Sequence, residues 1–254
     1  MESAVSSIEG TAGGSETELI RSELQTIAAA LDQGSYQPGA WRRVTERIRR
    51  LPQADRLALA PDVSAVSRRL HSRRYQRTLG VPGALLMEAW LAIFGGFLIA
   101  AGIAHSSNLR AILGMLLWVS TFEPLLKVAV GTALGVTYDY AYLYGGLEPR
   151  FKMNYGSYLA MAPLARVLLQ FSGMLGSLIG AALAGHLTFY VLPTAHAVSW
   201  IAFWVLLAIN LGQLIAGFLG IERLGGMRLP PGSSTTLVTE WRWWRQKDSA
   251  AAPT

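Results

Sequence analysis

Glu123 and Lys127 stand four residues apart inside an apolar run long enough to cross a bilayer, with Pro124 directly after the acid. Residues four apart share one helix face, and an acid placed one turn before a base attracts it. An ionisable group at membrane depth costs roughly 2.5–3.5 kcal/mol, so its presence there points to a packing or functional role. Three kinds of chemistry fit such a pair: an ion pair that sets helix register, a proton or ion relay, and a polar pocket for a peptide or lipid. Pro124 removes one helical hydrogen bond and frees a carbonyl near Ser120. That favours a kink, with Ser120 or Thr121 placed to satisfy the carbonyl.

The other candidates are dispersed. His105, His186 and His196 fall near one face of the expected bundle. Three imidazoles could form a metal site or a pH sensor. No single-helix spacing gathers them, so they read as separate interfacial histidines. Arg166 comes early in the third apolar run, after Pro163. It is expected to snorkel to the headgroups, or to reach Glu123 or Asp139. Glu88 is expected at the interface at the start of the first run. The chain contains no cysteine, which excludes disulfides, thiolate metal sites and a thiol nucleophile. Neither a Gly-rich phosphate loop nor a Ser–His–Asp arrangement is present, and no cofactor is implied.

Six of the nine tyrosines lie between positions 138 and 158. Tyr138, Tyr140, Tyr142 and Tyr144 alternate with period two and run into Gly145-Gly146, the pattern of a strand entering a turn. One reading is an aromatic interface belt. The other is a β-hairpin that pairs edge to edge with an extended peptide. Between 42 and 77 there are eleven arginines and three acids. Arg68, Arg69, Arg73, Arg74 and Arg77 precede the first apolar run and are candidates for contact with anionic lipid of the cytoplasmic leaflet. Trp241, Arg242, Trp243, Trp244 and Arg245 form a second interfacial cluster in the tail. Nucleic-acid binding is not expected, because no nucleic-acid motif accompanies the charge.

Composition sets the frame that positions these residues. Of 254 residues, 52% are hydrophobic and 15% charged, well below the roughly 25% charge of a soluble domain. The pattern predicts an all-α polytopic membrane protein with about four transmembrane helices, a short interfacial β-hairpin and a small helical N-terminal cytoplasmic domain. Residues 1–15 are small and polar and are expected to be disordered. Residues 16–80 form the basic helical domain, with helices over 16–31, around Trp41–Leu51 and over Leu57–Arg77. The transmembrane domain covers 82–222, with spans near 82–104, 109–136, 159–192 and 197–221. The third exceeds the roughly 20 residues of one crossing and should tilt, kink or project. Residues 223–254 form a cytoplasmic tail, in which Pro230-Pro231-Gly232-Ser233-Ser234 reads as a linker. Positive charge is concentrated in the N-terminal segment, the 137–158 loop and the tail, which puts both termini in the cytoplasm of an inner or plasma membrane. Small residues recur every four positions in each span: Ala92, Gly96, Ala100 and Ala104; Gly131 and Gly135; Ser172, Gly176, Gly180 and Ala184; Gly212, Ala216 and Gly220. They allow close helix packing.

The order of parts carries a resemblance. A span with two polar residues four apart is followed by Gly131 and Gly135 and a strand-like loop. Then come Glu148-Pro149, Tyr155-Gly156-Ser157-Tyr158-Leu159 and a Gly-rich span. Over about residues 85–220 this layout resembles the site-2-protease family of intramembrane zinc metalloproteases. In that family His-x-x-x-His on one helix binds zinc, a Glu after the first His is the general base, and an Asp from a later span completes the ligands. Here Glu123 and Lys127 occupy the His positions and Pro124 the Glu position, while the fourth span offers Asn210 and Gln213 but no Asp. The resemblance implies a pseudoprotease: a scaffold, regulator or accessory subunit with a protein partner. Its rivals are a proton or ion transport component using the Glu–Lys pair, and an active metalloprotease with ligands from elsewhere.

Overall fold

The computed structural model describes residues 9–250, apart from positions 38, 74, 76, 145–147, 222, 225, 226 and 229–232. Arg74, the Gly145-Gly146 turn, Pro230-Pro231-Gly232 and the first eight residues therefore lie outside the described residues, as does the side chain of Tyr144. In chain order the elements are α1 (Glu9–Asp32), α2 (Ala40–Arg50), α3 (Gln53–Ser72), β1 (Thr78–Leu79), α4 (Val81–Ala104), α5 (Asn108–Ala133), β2 (Tyr138–Tyr144), β3 (Glu148–Met153), α6 (Tyr155–Ala160), α7 (Pro163–Thr188), α8 (Pro193–Leu219), β4 (Arg223–Leu224), β5 (Met227–Arg228) and α9 (Ser233–Ala250). They form two compact units. The first holds residues up to Thr78 with Gly135–Glu148 and Lys152–Ala162; the second holds Leu79–Leu134, Pro149–Phe151 and everything from Pro163 onward.

In the first unit, α1 presents Ile20, Leu24, Ile27 and Leu31 at helical spacing, and all four are buried. Each contributes about 1.5–3 kcal/mol by leaving water. Leu59, Val63 and Val66 of α3 are buried in the same unit. Arg21 Nε donates to Asp62 Oδ2 at 3.2 Å and Arg69 Nη1 to Asp32 Oδ2 at 2.9 Å, fixing α1 to α3 at both ends of the contact. The helix begins at Glu9, inside the stretch expected to be disordered. Once a helix is nucleated, extension adds one hydrogen bond per residue fixed, so the 19–31 amphipathic stretch carries the helix back into polar sequence. Helix α3 ends at Ser72, five residues short of the expected Arg77, and carries Pro61 in its interior.

The expected hairpin is present as β2 and β3, and β1 joins it to make a sheet of order β1-β2-β3. The Tyr-rich strand is thus the middle one. Edge-to-edge pairing of β2 with a peptide, as its sequence suggested, is restricted by strands on both sides.

In the second unit, α4, α5, α7 and α8 are each long and apolar enough to cross a membrane. This is an integral membrane protein, with four such helices among the described residues. The long third run is not one helix. It breaks at Met161, whose extended backbone (ψ 153°) ends α6 before Pro163 opens α7. Proline disfavours helical backbone in the residue before it, which puts the boundary at Ala162.

Helix α5 is gripped on two sides. A Cβ on Gly95 would lie 3.0 Å from Gly114 O, and one on Gly102 would lie 2.9 Å from Ser107 O. The buried face of α4 therefore runs through Gly95, Ile99 and Gly102, and Ala100 of the expected stripe is exposed. On the other side, a Cβ on Gly176 would meet Glu123 N at 2.6 Å, and one on Gly180 would meet Trp118 O at 2.7 Å. The α7 stripe thus serves the α5 contact, and Ser172, Gly176, Gly180 and Ala184 are all buried. Trp118 Nε1 donates to Ala92 O at 2.8 Å, pinning α5 to α4. Helix α8 joins through Ala195 N donating to Asn108 Oδ1 at 2.9 Å and through a 2.9 Å contact between His196 Nδ1 and Gly185 O. Gly212 on α8 has nothing within 4 Å of its ideal Cβ, while Ala216 of the same stripe is buried, so only part of that stripe packs.

The tail differs most from expectation. It forms α9, which packs on α7 and α8: Val167, Met174 and Leu237 make one buried cluster with Leu214 and Trp241 against it. Arg242 Nη2 donates at 2.8 Å to both Gly217 O and Phe218 O. Both carbonyls lie at the end of α8, where a cation complements the helix dipole, and Gly217 O also accepts from Gly220 N at 3.1 Å. Gly220 takes φ 73° as the C-cap of that helix, a conformation glycine adopts without penalty.

Candidate functional site

In the first unit, polar side chains converge where α3, β2 and α6 meet. Asn154 is the N-cap of α6: its Oδ1 accepts from Ser157 N at 3.0 Å. Its Nδ2 donates to Asp139 Oδ1 at 3.0 Å, and its backbone N donates to Thr137 O at 2.9 Å. Ser64 Oγ on α3 lies 2.6 Å from Asn154 Oδ1 and 2.7 Å from Ala60 O, and accepts from Gly156 N at 3.1 Å. One asparagine therefore caps a helix, holds a strand and docks on a second helix.

Asp139 is the charged centre of this cluster, with a side chain 5% exposed. Its Oδ1 accepts from Arg68 Nη2 at 2.7 Å, while its Oδ2 is buried with no hydrogen-bond partner among the described residues. Lys152 Nζ donates to Ser67 Oγ at 2.8 Å and to Met153 O at 3.0 Å. Burial holds its ammonium below the usual lysine range; the Asp139 charge opposes that shift and Arg68 adds to it.

The tyrosines turn inward. Tyr140 Oη lies 2.8 Å from His71 Nδ1, and the Tyr142 ring meets Tyr75 at a tilt with centroids 4.3 Å apart and His71 edge to face at 4.5 Å. Tyr140 and Tyr142, expected as peptide contacts, instead pack against the end of α3. A period-two strand beside a helix end buries its aromatic face rather than offering it. Burial raises the Tyr140 hydroxyl, helped by the Asp139 charge, and pushes Tyr138 up to about 12.

That shift has a consequence for stability. Between pH 10 and 12 the unfolded chain releases a phenolic proton that folded Tyr138 keeps, so the unfolded state binds fewer protons and stability falls as pH rises through that window. Tyr138→Phe should flatten this part of the pH profile, read as the denaturation midpoint of the full chain against pH. An unchanged slope would show that Tyr138 ionises alike in both states.

The basic candidates divide. Arg68 and Arg69 are engaged with Asp139 and Asp32. Arg73 and Arg77 are exposed.

In the second unit, α5 runs through Pro124 without ending. The Ser120 and Thr121 hydroxyls both donate to Leu117 O, at 2.9 and 2.8 Å, and so do not serve the carbonyl that Pro124 releases. Both follow the back-bonding habit of hydroxyls within helices. Glu123 is exposed, Lys127 is half-buried, and their charges attract. The pair therefore lies at the surface of this unit, not in its core.

Arg166 does not snorkel. It is buried, and its Nε donates to Glu240 Oε2 of α9 at 2.6 Å. Sequence reading missed Glu240. The acid lies 74 positions away, and its one local signal is that it sits next to the Trp/Arg cluster. Glu88 is buried within α4 rather than interfacial.

His105 and His186 are exposed, and His196 is held against Gly185. Among the described residues no three His, Cys, Asp or Glu side chains gather as a metal set would. Trp241 and Trp244 meet edge to face, with ring centroids 4.8 Å apart. Trp243 is half-buried, and Arg245 is exposed. Compared with protein-family models, curated proteins and solved structures, the chain matches none.

Proposed function

We propose that this protein is a non-catalytic scaffold, regulator or accessory subunit of a membrane complex, with both termini in the cytoplasm of an inner or plasma membrane. One observation supports the reading above the others. The polar groups that converge in the first unit are spent on architecture: Asn154, Ser64, Asp139 and Arg68 fasten the strand and the short helix of the inter-span loop to α3. A loop tied so firmly to an N-terminal helical unit presents a fixed surface. The exposed Arg73 and Arg77 give that surface its positive charge, suited to anionic lipid and to an acidic face on a protein partner. The orientation rests on the uneven spread of Lys and Arg among the segments between spans. On this reading the Glu123–Lys127 turn stands where a site-2-protease-like relative would hold zinc, and the chain is a pseudoprotease.

The test is chemical cross-linking of the full chain in its native membrane, followed by recovery in mild detergent. A specific protein should be recovered with the wild-type chain and with Glu123→Gln, and lost with the double variant Arg73→Glu/Arg77→Glu. Ion flux in proteoliposomes that is abolished by Glu123→Gln would replace this reading with a transport function.

A further inference from the structure

Two copies of this chain associate in the membrane along the exposed face of α5, through Glu123 of each copy and Lys127 of the other, we infer. The inference goes beyond the proposed function and holds whether or not a protein partner is found.

The observation is a seam. Along α5, Leu109, Leu113 and Leu116 are exposed at 67%, 45% and 53%, and the line continues through exposed Ser120 and Glu123 to half-buried Lys127. The steps alternate four and three residues. That is the heptad repeat of a helix that packs lengthwise on another with a left-handed crossing. The protein's own helices take the other sides of α5, with α4 at Gly114 and α7 at Phe122–Glu123 and Trp118. The seam follows the side they leave open, with the Glu123 backbone at its edge against Gly176 of α7.

Its charge sets it apart from the other outward faces. Trp90, Ile93 and Phe97 on α4, and Ile201, Val205 and Ile209 on α8, are exposed and apolar, which suits lipid tails. Among the Asp, Glu, Lys and Arg residues of the four spans, Glu88 and Arg166 are buried and Arg110 lies in the first turn of α5, while exposed His186 lies in the last turn of α7. Glu123 is exposed. It lies ten residues before the end of α5, about 15 Å along the axis and well inside the hydrocarbon. The attraction of Glu123 to Lys127 within one chain offsets their charges but leaves Glu123 exposed on the outward face of α5.

A second copy completes the arrangement. Copies of one chain insert in one orientation, so their α5 helices run parallel about a two-fold axis normal to the membrane. A two-fold contact is self-complementary: if Glu123 meets the partner subunit's Lys127, then Lys127 meets the partner subunit's Glu123. The result is an alternating ring of two acids and two bases shielded from lipid, with leucine layers above it. A polar layer inside an apolar seam also fixes register.

The chain has no cysteine, so single cysteines report contacts without background. The full chain is placed in lipid vesicles and oxidised. Ser120→Cys should give a cross-linked dimer, and Val205→Cys, on the apolar face of α8, should not. In the Ser120→Cys background, Glu123→Lys and Lys127→Glu should each cut the dimer about tenfold when present alone. Mixing these two charge variants should restore it, because each supplies the charge the other lacks. Equal cross-linking from Ser120→Cys and Val205→Cys overturns the proposal, as does undiminished self-pairing of Glu123→Lys. Should the charge variants fail to insert, the comparison of the two cysteine positions in the otherwise native chain still decides.

Discussion

Valine at position 156 unseats α6 from α3. An ideal Cβ on Gly156 falls far inside contact distance of both Ala60 O and Ser64 Oγ. The serine can rotate away, but the Ala60 carbonyl belongs to the helix backbone and cannot. The short helix must then retreat, and three things are lost with it: the 3.1 Å bond from Gly156 N to Ser64 Oγ, the seat of Asn154 against α3, and the burial of Tyr158 and Leu159. Overpacking of this kind costs about 1–3 kcal/mol, and the lost bonds put Gly156→Val at the upper end. The expected result is amide exchange in α6 and the facing turns of α3 accelerated about a hundredfold, measured on the full chain in nanodiscs. Gly212→Val is the control, since its Cβ meets open space. Wild-type protection of α6 in Gly156→Val would show that the two helices are not in contact there.

Loss of either Arg166 or Glu240 should be worse. The two side chains are 1% and 0% exposed and sit 2.6 Å apart, so deleting one leaves an unmatched charge in a low-dielectric interior. Breaking a buried pair this way costs about 3–5 kcal/mol. Because the pair joins α7 to α9, the damage should centre on α9. Arg166→Ala and Glu240→Ala should each lower the melting temperature in detergent and expose α9 to protease. The double variant Arg166→Met/Glu240→Leu should recover most of the loss, since two apolar side chains of similar volume need no charge partner. A double variant that melts below both single variants would show that the pair stabilises by more than mutual neutralisation. Wild-type melting of Glu240→Ala would show that the acid is solvated.

Both predictions turn on residues that are unremarkable as sequence. Gly156 is one of 26 glycines, and Glu240 lies in a polar tail. Their importance arises from contacts that only the fold makes: Gly156 meets Ala60, about a hundred positions earlier, and Glu240 meets Arg166, 74 positions earlier. The alternating tyrosines show the reverse case. Their spacing announced a strand, and β2 covers Tyr138–Tyr144, but spacing does not say which neighbour takes the aromatic face. His71 and Tyr75 take it.

What the sequence by itself determined is the set of elements. Hydrocarbon offers the backbone no partners, so each apolar run must close its hydrogen bonds within its own helix, and that demand is local. Hence α4, α5, α7 and α8 lie along the apolar runs, although the third run, expected from about 159, also takes in the end of α6. Which faces meet was decided only by the tertiary structure. Every face of a span is apolar, and close approach depends on small residues that match across two helices: Gly95 against Gly114, Gly176 and Gly180 against the backbone of α5. The same holds for charge. Arg166 and Glu123 look alike on paper, each an ionisable group in an apolar run. The fold buries one against Glu240 of α9 and leaves the other exposed on α5 beside Lys127.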